Sequence, residues 1–327
     1  MTSLTSLGMP AVPPPTSRPT WKAAWDSALY GAEGFFRRES PAAHFRTSVH
    51  ASPQFAQALV RMARGAGLDT VVDIGAGRGE LLTSMRRLDP ALALLGVEVA
   101  ARPPGLDRSI AWTTGLPTSV EGLVVANEWL DNIPCHVVEL DDDAVPRVVH
   151  VDPDTGEESA GQPLGHPSVP SSLRRWTDQW WPLEGGEPGA RAEVGTTRDA
   201  AWADVVGRVQ RGIAVAVDYG HLREDRPPFG TLASYRGGRL VDVLPDGSRD
   251  VTAHVAVDSV AARVGAVVRR QREVLHELGV EAAMPATVLA SEDPAAYLGR
   301  LSSAAEAAEL TAAGGLGDFW WVVTTRS

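Results

Sequence analysis

The sequence predicts an α/β fold in which a mainly parallel sheet is covered by helices on both faces. From Thr70 onward, short apolar runs alternate with amphipathic helical patterns, which is typical of buried parallel strands and their crossover helices. A glycine-rich turn joins the first of these strands to the first of these helices. The chain has 327 residues, of which 44% are hydrophobic and 22% charged, so it can bury a core without metal or disulfide cross-links.

The N-terminal part divides into a tail and a helical segment. Residues 1–20 are rich in Pro, Ser and Thr and are predicted to form a disordered tail. Residues 21–68 are predicted to form an N-terminal helical entrance segment that caps the domain. It begins with a helical pattern at Trp21 and contains a helix over 53–63, with Ser52 as its N-cap.

Residues 69–327 are predicted to form one α/β domain with an insertion at about 136–192. The insertion begins with a hairpin of 136–140 and 147–151, and continues through a stretch rich in Gly, Pro and acidic residues. Three tryptophans in that stretch favour a packed insertion over a flexible linker. The predicted elements of the domain are strand 71–74, helix 80–87, strand 92–99, strand 123–126, helix 199–209, strand 212–219, helix 256–263 and strand 318–325.

Composition excludes several functions. Thirty basic residues against 41 acidic ones give a net charge of −11, which argues against general affinity for nucleic acid. The single cysteine, Cys135, excludes an internal disulfide and a multi-cysteine zinc site, and we expect no metal. Because no apolar run approaches about 18–20 residues and no signal sequence is evident, we expect a cytoplasmic protein without membrane contact.

The turn after the first strand carries the pattern G-x-G-x-G at Gly75, Gly77 and Gly79. Such a turn lets the backbone approach a ligand closely, and the following helix offers unpaired N–H groups. A dinucleotide site would need glycine at position 80, where Glu80 would instead repel a pyrophosphate. With Asp73 two residues before the first glycine, the segment resembles motif I of class I methyltransferases, which have a Rossmann-like sheet and bind S-adenosylmethionine.

This resemblance implies a set of cofactor-binding residues. Glu98 ends the second strand 23 residues beyond the first glycine, where an acid can accept hydrogen bonds from both ribose hydroxyls. Asn127 ends a later strand and is expected to orient the backbone or contact the methionine end of the cofactor. The candidate cofactor-binding residues are Asp73, Gly75, Ala76, Gly77, Gly79, Glu98 and Asn127.

The segment Asn127-Glu-Trp-Leu-Asp131-Asn-Ile-Pro134 resembles the N-E-F-F-D-A-L-P signature of the MidA family. That family of class I methyltransferases contains the mitochondrial complex I assembly factor that methylates an arginine. The resemblance covers about residues 21–327. Further matching segments, in order, are Gly34-Phe-Phe, Phe45-Arg-Thr-Ser48, Ser52-Pro-Gln-Phe55, Asp218-Tyr-Gly-His221, Val251-Thr-Ala-His254-Val, and Gln271 with Leu275 and Leu278-Gly279.

The chain departs from the family pattern at three places. Ala76 replaces the proline of motif I, although the glycine pattern is intact. In the entrance segment, Ala43-His44 replaces Gly-Asp and Val49-His50 replaces Pro-Glu. Because this segment is expected to cap the active site, these departures leave the acceptor open.

Three carboxylates are candidates for catalysis. Glu128 and Asp131 are three residues apart just after a strand, and two carboxylates can hold a guanidinium bidentately. Alternatively, Glu128 binds cofactor or caps a helix and Asp131 is a structural cap. Asp218 ends another strand at the same sheet edge and could be a third acid facing the acceptor. His221 and His254 could act as bases or be hydrogen-bonded structural residues.

The predicted function is therefore S-adenosylmethionine-dependent methyl transfer, and the resemblance implies a protein arginine as acceptor. A small-molecule acceptor remains open. A second class of function is a binding or assembly factor that keeps the fold but has lost turnover. The intact glycine turn argues against such a loss. An NAD-dependent oxidoreductase is disfavoured by Glu80.

Overall fold

The computed structural model describes residues 18–38, 48 and 52–327. Its centre is a seven-stranded sheet with the strand order β6-β7-β5-β4-β1-β2-β3. The strands are β1 (Thr70–Ile74), β2 (Ala93–Val97), β3 (Ile110–Thr113), β4 (Val120–Asn127), β5 (Val209–Asp218), β6 (Val267–Arg270) and β7 (Trp320–Arg326). Strands β1 to β5 are parallel, whereas β7 is antiparallel to both β5 and β6. Because β6 thus has the same direction as β1 to β5, the carboxyl ends of six strands share one edge.

Helices cover both faces of this sheet. Apolar side chains on each helix pack against alternate residues of the strands, which gives one hydrophobic layer per face. The first face carries helices Pro53–Gly65, Glu80–Leu88, Gln271–Glu277 and Pro294–Thr311. The second face carries helices Thr196–Gly207 and Val257–Val264.

The insertion forms a second, four-stranded sheet with a hydrophobic cluster of its own. Its strands, in chain order, are His136–Leu140, Pro146–Val151, Glu158–Pro163 and Arg191–Val194, and its helix is Ser171–Trp180. The N-terminal helices Trp21–Tyr30 and Phe35–Arg38 pack on this sheet and on Val251 and Ala253.

Smaller elements complete the described chain. Strands Ala233–Arg236, Arg239–Val241 and Asp250–Thr252 form a three-stranded sheet, and Gly220–His221 pairs with Val255–Ala256. The remaining helical pieces are Arg223–Asp225, Leu289–Glu292 and Leu316–Asp318. Within the described residues, no helix combines the length and apolar character needed to cross a membrane.

The predicted α/β fold with helices on both faces is confirmed. The hairpin and the Ser52 N-cap are present, since Ser52 Oγ accepts the N–H of Gln54 at 3.0 Å. Residues 1–17 of the predicted tail, and 39–47 and 49–51 of the entrance segment, lie outside the described residues. Residues 18–20, predicted as tail, instead contact the insertion, where Pro19 O accepts the N–H of Val151 at 3.0 Å.

Candidate active site

A cavity of about 280 Å³ lies at the carboxyl ends of β1, β2 and β4. Ligands of open α/β sheets bind at this edge, because the loops that follow parallel strands converge there. The cavity wall also contains Tyr219, which follows β5, and residues of the N-terminal helices.

The backbone of the turn after β1 favours glycine at three positions. Gly75, Gly77 and Gly79 have φ values of 71°, 56° and 80°, in the left-handed region that residues with a Cβ rarely adopt. A Cβ on Gly75 would meet Trp129 Cδ1 at 2.7 Å, and one on Gly79 would meet Leu106 Cδ1 at 2.8 Å. The turn thus keeps its backbone close to the cavity before the helix that starts at residue 80.

Three carboxylates surround this turn. Glu98 is partly buried, and its oxygens accept the N–H of Gly77 at 3.0 Å and of Val99 at 2.7 Å. Burial raises the pKa of Glu98 above its usual value. Asp73 is buried at the end of β1, and burial together with the charges of Glu80 and Glu98 raises its pKa well above its usual value. All three line the cavity.

The end of β4 places two polar side chains in the cavity wall. Glu128 has φ 51°, an uncommon backbone conformation for a residue with a side chain, and its N–H donates to Val217 O at 2.8 Å. Its Oε1 accepts the Nδ2–H of Asn127 and the N–H of Ser48, both at 3.1 Å. Within the described residues, the buried Oδ1 of Asn127 has no hydrogen-bond partner, so it can accept from a ligand.

Asp131 also lines the cavity and is only 4% exposed. Its Oδ2 accepts hydrogen bonds from Thr252 Oγ1 at 2.7 Å and from the hydroxyl of Tyr219. Its Oδ1 has no partner among the described residues. Burial raises the pKa of Asp131, while the hydrogen bond from Tyr219 opposes this rise. A buried carboxylate oxygen without a donor is an acceptor that a cationic ligand would satisfy.

Asp218 is not among the residues that line the cavity. Its Oδ2 accepts the N–H of Leu130 at 2.9 Å and of Asp131 at 3.2 Å, and its Oδ1 accepts the N–H of Tyr219 at 3.0 Å. Burial and the charge of Asp131 raise the pKa of Asp218 well above its usual value. The oxygens of Asp218 therefore hold the turn that carries Asp131, and its role toward the acceptor stays a prediction.

The two histidines lie outside the cavity wall as well. His221 packs edge-on against Trp181 at 4.6 Å between ring centroids, and its Nδ1 lies 2.6 Å from Arg226 Nη1. Burial and the charge of Arg226 lower the pKa of His221 to about 3. The ring of His254 lies 5.1 Å from that of Tyr219. These contacts favour the structural alternative for both histidines.

The cavity wall also contains residues that were not predicted from the sequence, among them Tyr30, Phe36, Asn132 and Asp250. Asn132 Nδ2 donates to Asp250 Oδ1 at 2.9 Å, and the Tyr30 hydroxyl donates to Asn132 O at 3.3 Å. Burial and the charge of Asp131 raise the pKa of Asp250 well above its usual value. Asp250 could have been found as the acid directly before the Val251-Thr-Ala-His254 segment, whereas Tyr30 carries no comparable signal.

The cavity is strongly acidic. Among the described residues, its wall contains carboxylates but no Lys, Arg or His. This arrangement favours a ligand with positive charge and disfavours one with a phosphate. The wall carboxylates are Asp73, Glu80, Glu98, Glu128, Asp131 and Asp250.

Comparison with known proteins identifies the family. A family model described as "Putative S-adenosyl-L-methionine-dependent methyltransferase" matches residues 86–274, which is more than half of the chain. The chain belongs to this family. The comparison with curated proteins gives no match.

Solved structures share the fold over nearly the whole chain. One is a protein from Burkholderia thailandensis, described as a likely methyl transferase and bound to S-adenosyl-homocysteine, with 23% sequence identity and a TM-score of 0.76. A native crystal structure of a protein of the same superfamily and organism has 25% identity and a TM-score of 0.72. In both cases the similarity covers 95% of this chain and 88% of the other chain.

The cavity fits the cofactor of this family, S-adenosylmethionine. That molecule carries a sulfonium, an ammonium and a carboxylate but no phosphate, in keeping with the acidic wall. The Asn127 Oδ1 atom has no partner among the described residues and offers an acceptor, and the backbone of the glycine turn itself lines the cavity. The enzyme is thus an S-adenosylmethionine-dependent methyltransferase.

Proposed function

We propose that this methyltransferase acts on an arginine side chain of a protein, as the resemblance to the MidA family implies. The observation that carries the proposal is the buried Asp131, whose Oδ1 has no partner among the described residues and which lines the cavity together with Glu128. A guanidinium presents several N–H donors in one plane and pairs well with carboxylates.

The donor side of the cavity is assigned to the cofactor. Glu98 would accept from the ribose hydroxyls, and Asn127 Oδ1 would accept from the methionine end. When bound, S-adenosylmethionine supplies a methyl group that its sulfonium already activates for attack by a nitrogen. The residues proposed to hold it are Asp73, Gly75, Ala76, Gly77, Gly79, Glu98 and Asn127.

The acceptor side of the cavity has to position the guanidinium, which is a poor nucleophile, and to accept the proton that its nitrogen loses on methylation. Hydrogen bonds from Asn127 and Ser48 fix the Glu128 carboxylate, so that it can orient a guanidinium without losing further side-chain entropy. Asp131 would accept the proton lost by the acceptor nitrogen at Oδ1, while Tyr219 and Thr252 hold Oδ2. Its raised pKa makes it a stronger proton acceptor than an exposed aspartate.

The test is methyl transfer by Glu128→Gln and Asp131→Asn variants. Each should lower turnover at least about tenfold, the effect of roughly 1.4 kcal/mol of lost transition-state stabilisation. Asp131→Asn should keep its affinity for S-adenosylhomocysteine. Tritiated S-adenosylmethionine and cell lysate would report turnover, and mass spectrometry would locate the methyl group. Asp142→Asn, an exposed acid in the turn of the insertion hairpin, is the matched control.

Each competing function gives a different result in this assay. If the tritiated methyl group appears in the low-mass fraction, the acceptor is a small molecule. If it appears on an oxygen atom, the acceptor is not an arginine. Either result would contradict the arginine proposal. Cofactor binding without label in any fraction would favour a binding or assembly factor. Activity that survives both substitutions would mean that the two acids are structural.

A further inference from the structure

We propose that the N-terminal segment Trp21–Arg38 forms one wall of the acceptor site, where Tyr30, Phe36 and Asp250 select a planar cation. The inference rests on the proposed function only in taking the methyl acceptor as the occupant. None of these three residues belongs to the glycine turn or to the strand ends that mark the cofactor site.

Tyr30 and Phe36 form an aromatic pair in the cavity wall. Their ring centroids lie 5.6 Å apart with an interplanar angle of 48°. The Tyr30 hydroxyl donates to Asn132 O at 3.3 Å, which fixes this ring beside the turn that carries Asp131. The pair is thus held in place before any acceptor enters.

Two buried carboxylates lie close to this aromatic pair. Asp250 is 3% exposed and accepts from Asn132 Nδ2 at 2.9 Å, and the neighbouring Asp131 has an Oδ1 without a partner among the described residues. Burial and the charges of Asp250 and Asp131 raise the pKa of the Tyr30 phenol well above its usual value, in keeping with their closeness.

The N-terminal helix is also tied directly to the segment that holds Asp250. Trp25 is fully buried, and its Nε1 donates to Val251 O at 2.9 Å. Aromatic ring and carboxylate therefore keep a fixed spacing, although about 220 residues separate them in sequence. Such a site is specific in shape as well as in charge.

Aromatic faces combined with carboxylates recognise cations, and their geometry favours one shape. A cation over a ring face is attracted by the negative charge of that face, more strongly where water is excluded. A flat guanidinium can stack on a ring while its edge donates to carboxylates, which a tetrahedral ammonium cannot do. The arrangement therefore suits an arginine side chain better than a lysine side chain.

The first experiment measures binding of three short peptides to the full chain saturated with S-adenosylhomocysteine. Acetyl-Gly-Arg-Gly-amide should bind at least about tenfold more tightly than its citrulline or lysine counterparts. The chain has four tyrosines, so 3-fluorotyrosine labelling gives four fluorine resonances, and Tyr30→Phe assigns one of them. The arginine peptide should shift the Tyr30 resonance. Equal binding of the lysine peptide, or an unshifted Tyr30 resonance, would overturn the inference.

The second experiment uses two conservative substitutions chosen to preserve the fold. Asp250→Asn retains an acceptor for Asn132, and Phe36→Leu retains an apolar side chain without a ring face. Each should weaken the arginine peptide at least about fivefold and change affinity for S-adenosylhomocysteine less than twofold. Asp242→Asn, an exposed acid on the same chain segment, and Tyr297→Leu are matched controls that should leave peptide binding unchanged.

The outcomes separate this inference from the proposed function. If S-adenosylhomocysteine affinity falls and peptide affinity does not, the wall serves the cofactor and the inference is overturned. If arginine is methylated while both variants bind peptide normally, the inference fails and the proposed function stands. If both variants lose the peptide but no methylarginine forms, the cation site is supported and the proposed function fails.

Discussion

Glu98 is the proposed acceptor for the ribose hydroxyls, and it also holds the glycine turn. Its position at the end of β2 was predictable from the spacing between a glycine turn and an acid. The sequence could not show that the same carboxylate already accepts the N–H of Gly77, and so holds the glycine turn itself. Each of its two oxygens therefore already accepts a backbone N–H, in addition to any hydrogen bond from a ribose.

We expect Glu98→Ala to lose more cofactor affinity than Glu98→Gln. Alanine removes every acceptor, whereas glutamine keeps one oxygen for Gly77 or for a ribose hydroxyl. Hydrogen bonds to a charged group are worth about 1.5–3 kcal/mol, so alanine should raise the dissociation constant about 10- to 150-fold. Calorimetry with S-adenosylhomocysteine measures this, with Glu121→Ala, an exposed acid on β4, as control. A change below about threefold for alanine would show that Glu98 does not hold the ribose.

Arg198 shows what sequence reasoning misses at this scale. It is 1% exposed and donates to the carbonyl oxygens of Asp131 at 2.6 Å, Ile133 at 3.2 Å and His254 at 2.7 Å. Its charge lowers the pKa values of Asp131 and Asp218, which burial otherwise raises. Nothing in the sequence around position 198 marks it, because its partners are backbone atoms from distant segments.

At the scale of elements, local patterning determined which parts were predictable. Five strands of the central sheet, β1, β2, β4, β5 and β7, are apolar runs, and these were predicted with shifted ends. The strands β3 and β6 were missed, because β3 is short and β6 has the exposed Val267 and two arginines. An apolar run does not show whether its strand is parallel or antiparallel to its neighbours, so the antiparallel orientation of β7 could not be predicted. The helix Ser171–Trp180 was hidden among Gly and Pro residues.

This missed helix attaches the insertion to the main domain through one buried acid. Trp176 Nε1 donates to Asp199 Oδ2 at 2.8 Å, and Ser259 Oγ donates to the same oxygen at 2.6 Å. The other oxygen of Asp199 has no partner among the described residues. Burial raises the pKa of Asp199 from 3.8 to about 6. The folded state therefore holds this proton more tightly than the unfolded state does.

We expect Asp199→Asn to change how stability depends on pH. The protonated acid stabilises the folded state fully below about pH 4, and this stability is lost as pH rises through about 6. Relative to wild type, the variant should gain on the order of 3 kcal/mol between pH 4 and pH 8. Urea unfolding at both pH values measures this difference. Asp204→Asn, an exposed acid on the same helix, should show no such gain, and a pH-independent difference for Asp199→Asn would contradict the assignment.

At the scale of the whole molecule, the net charge and the cavity have the same sign. The chain carries a charge of −11, and the described part of the cavity wall contributes six carboxylates without a basic side chain. A negative field of this extent attracts cations toward the cavity and weakens as salt screens it. The methyl donor and its product differ by one charge, since S-adenosylmethionine carries a net +1 at neutral pH and S-adenosylhomocysteine carries none.

This charge difference predicts a salt effect that needs no knowledge of the acceptor. Raising NaCl from 0.05 M to 0.5 M shortens the screening length from about 14 Å to about 4 Å. The affinity for S-adenosylmethionine should then fall about two- to fivefold, while that for S-adenosylhomocysteine changes less than twofold. Calorimetry with both ligands on the same protein at both salt concentrations measures the two changes. The two ligands share every group except the transferred methyl, so the methyl and its charge account for any difference between them. An equal loss of affinity for both ligands would mean that the wall carboxylates are protonated or screened. The acidity of the cavity would then not select the methyl donor.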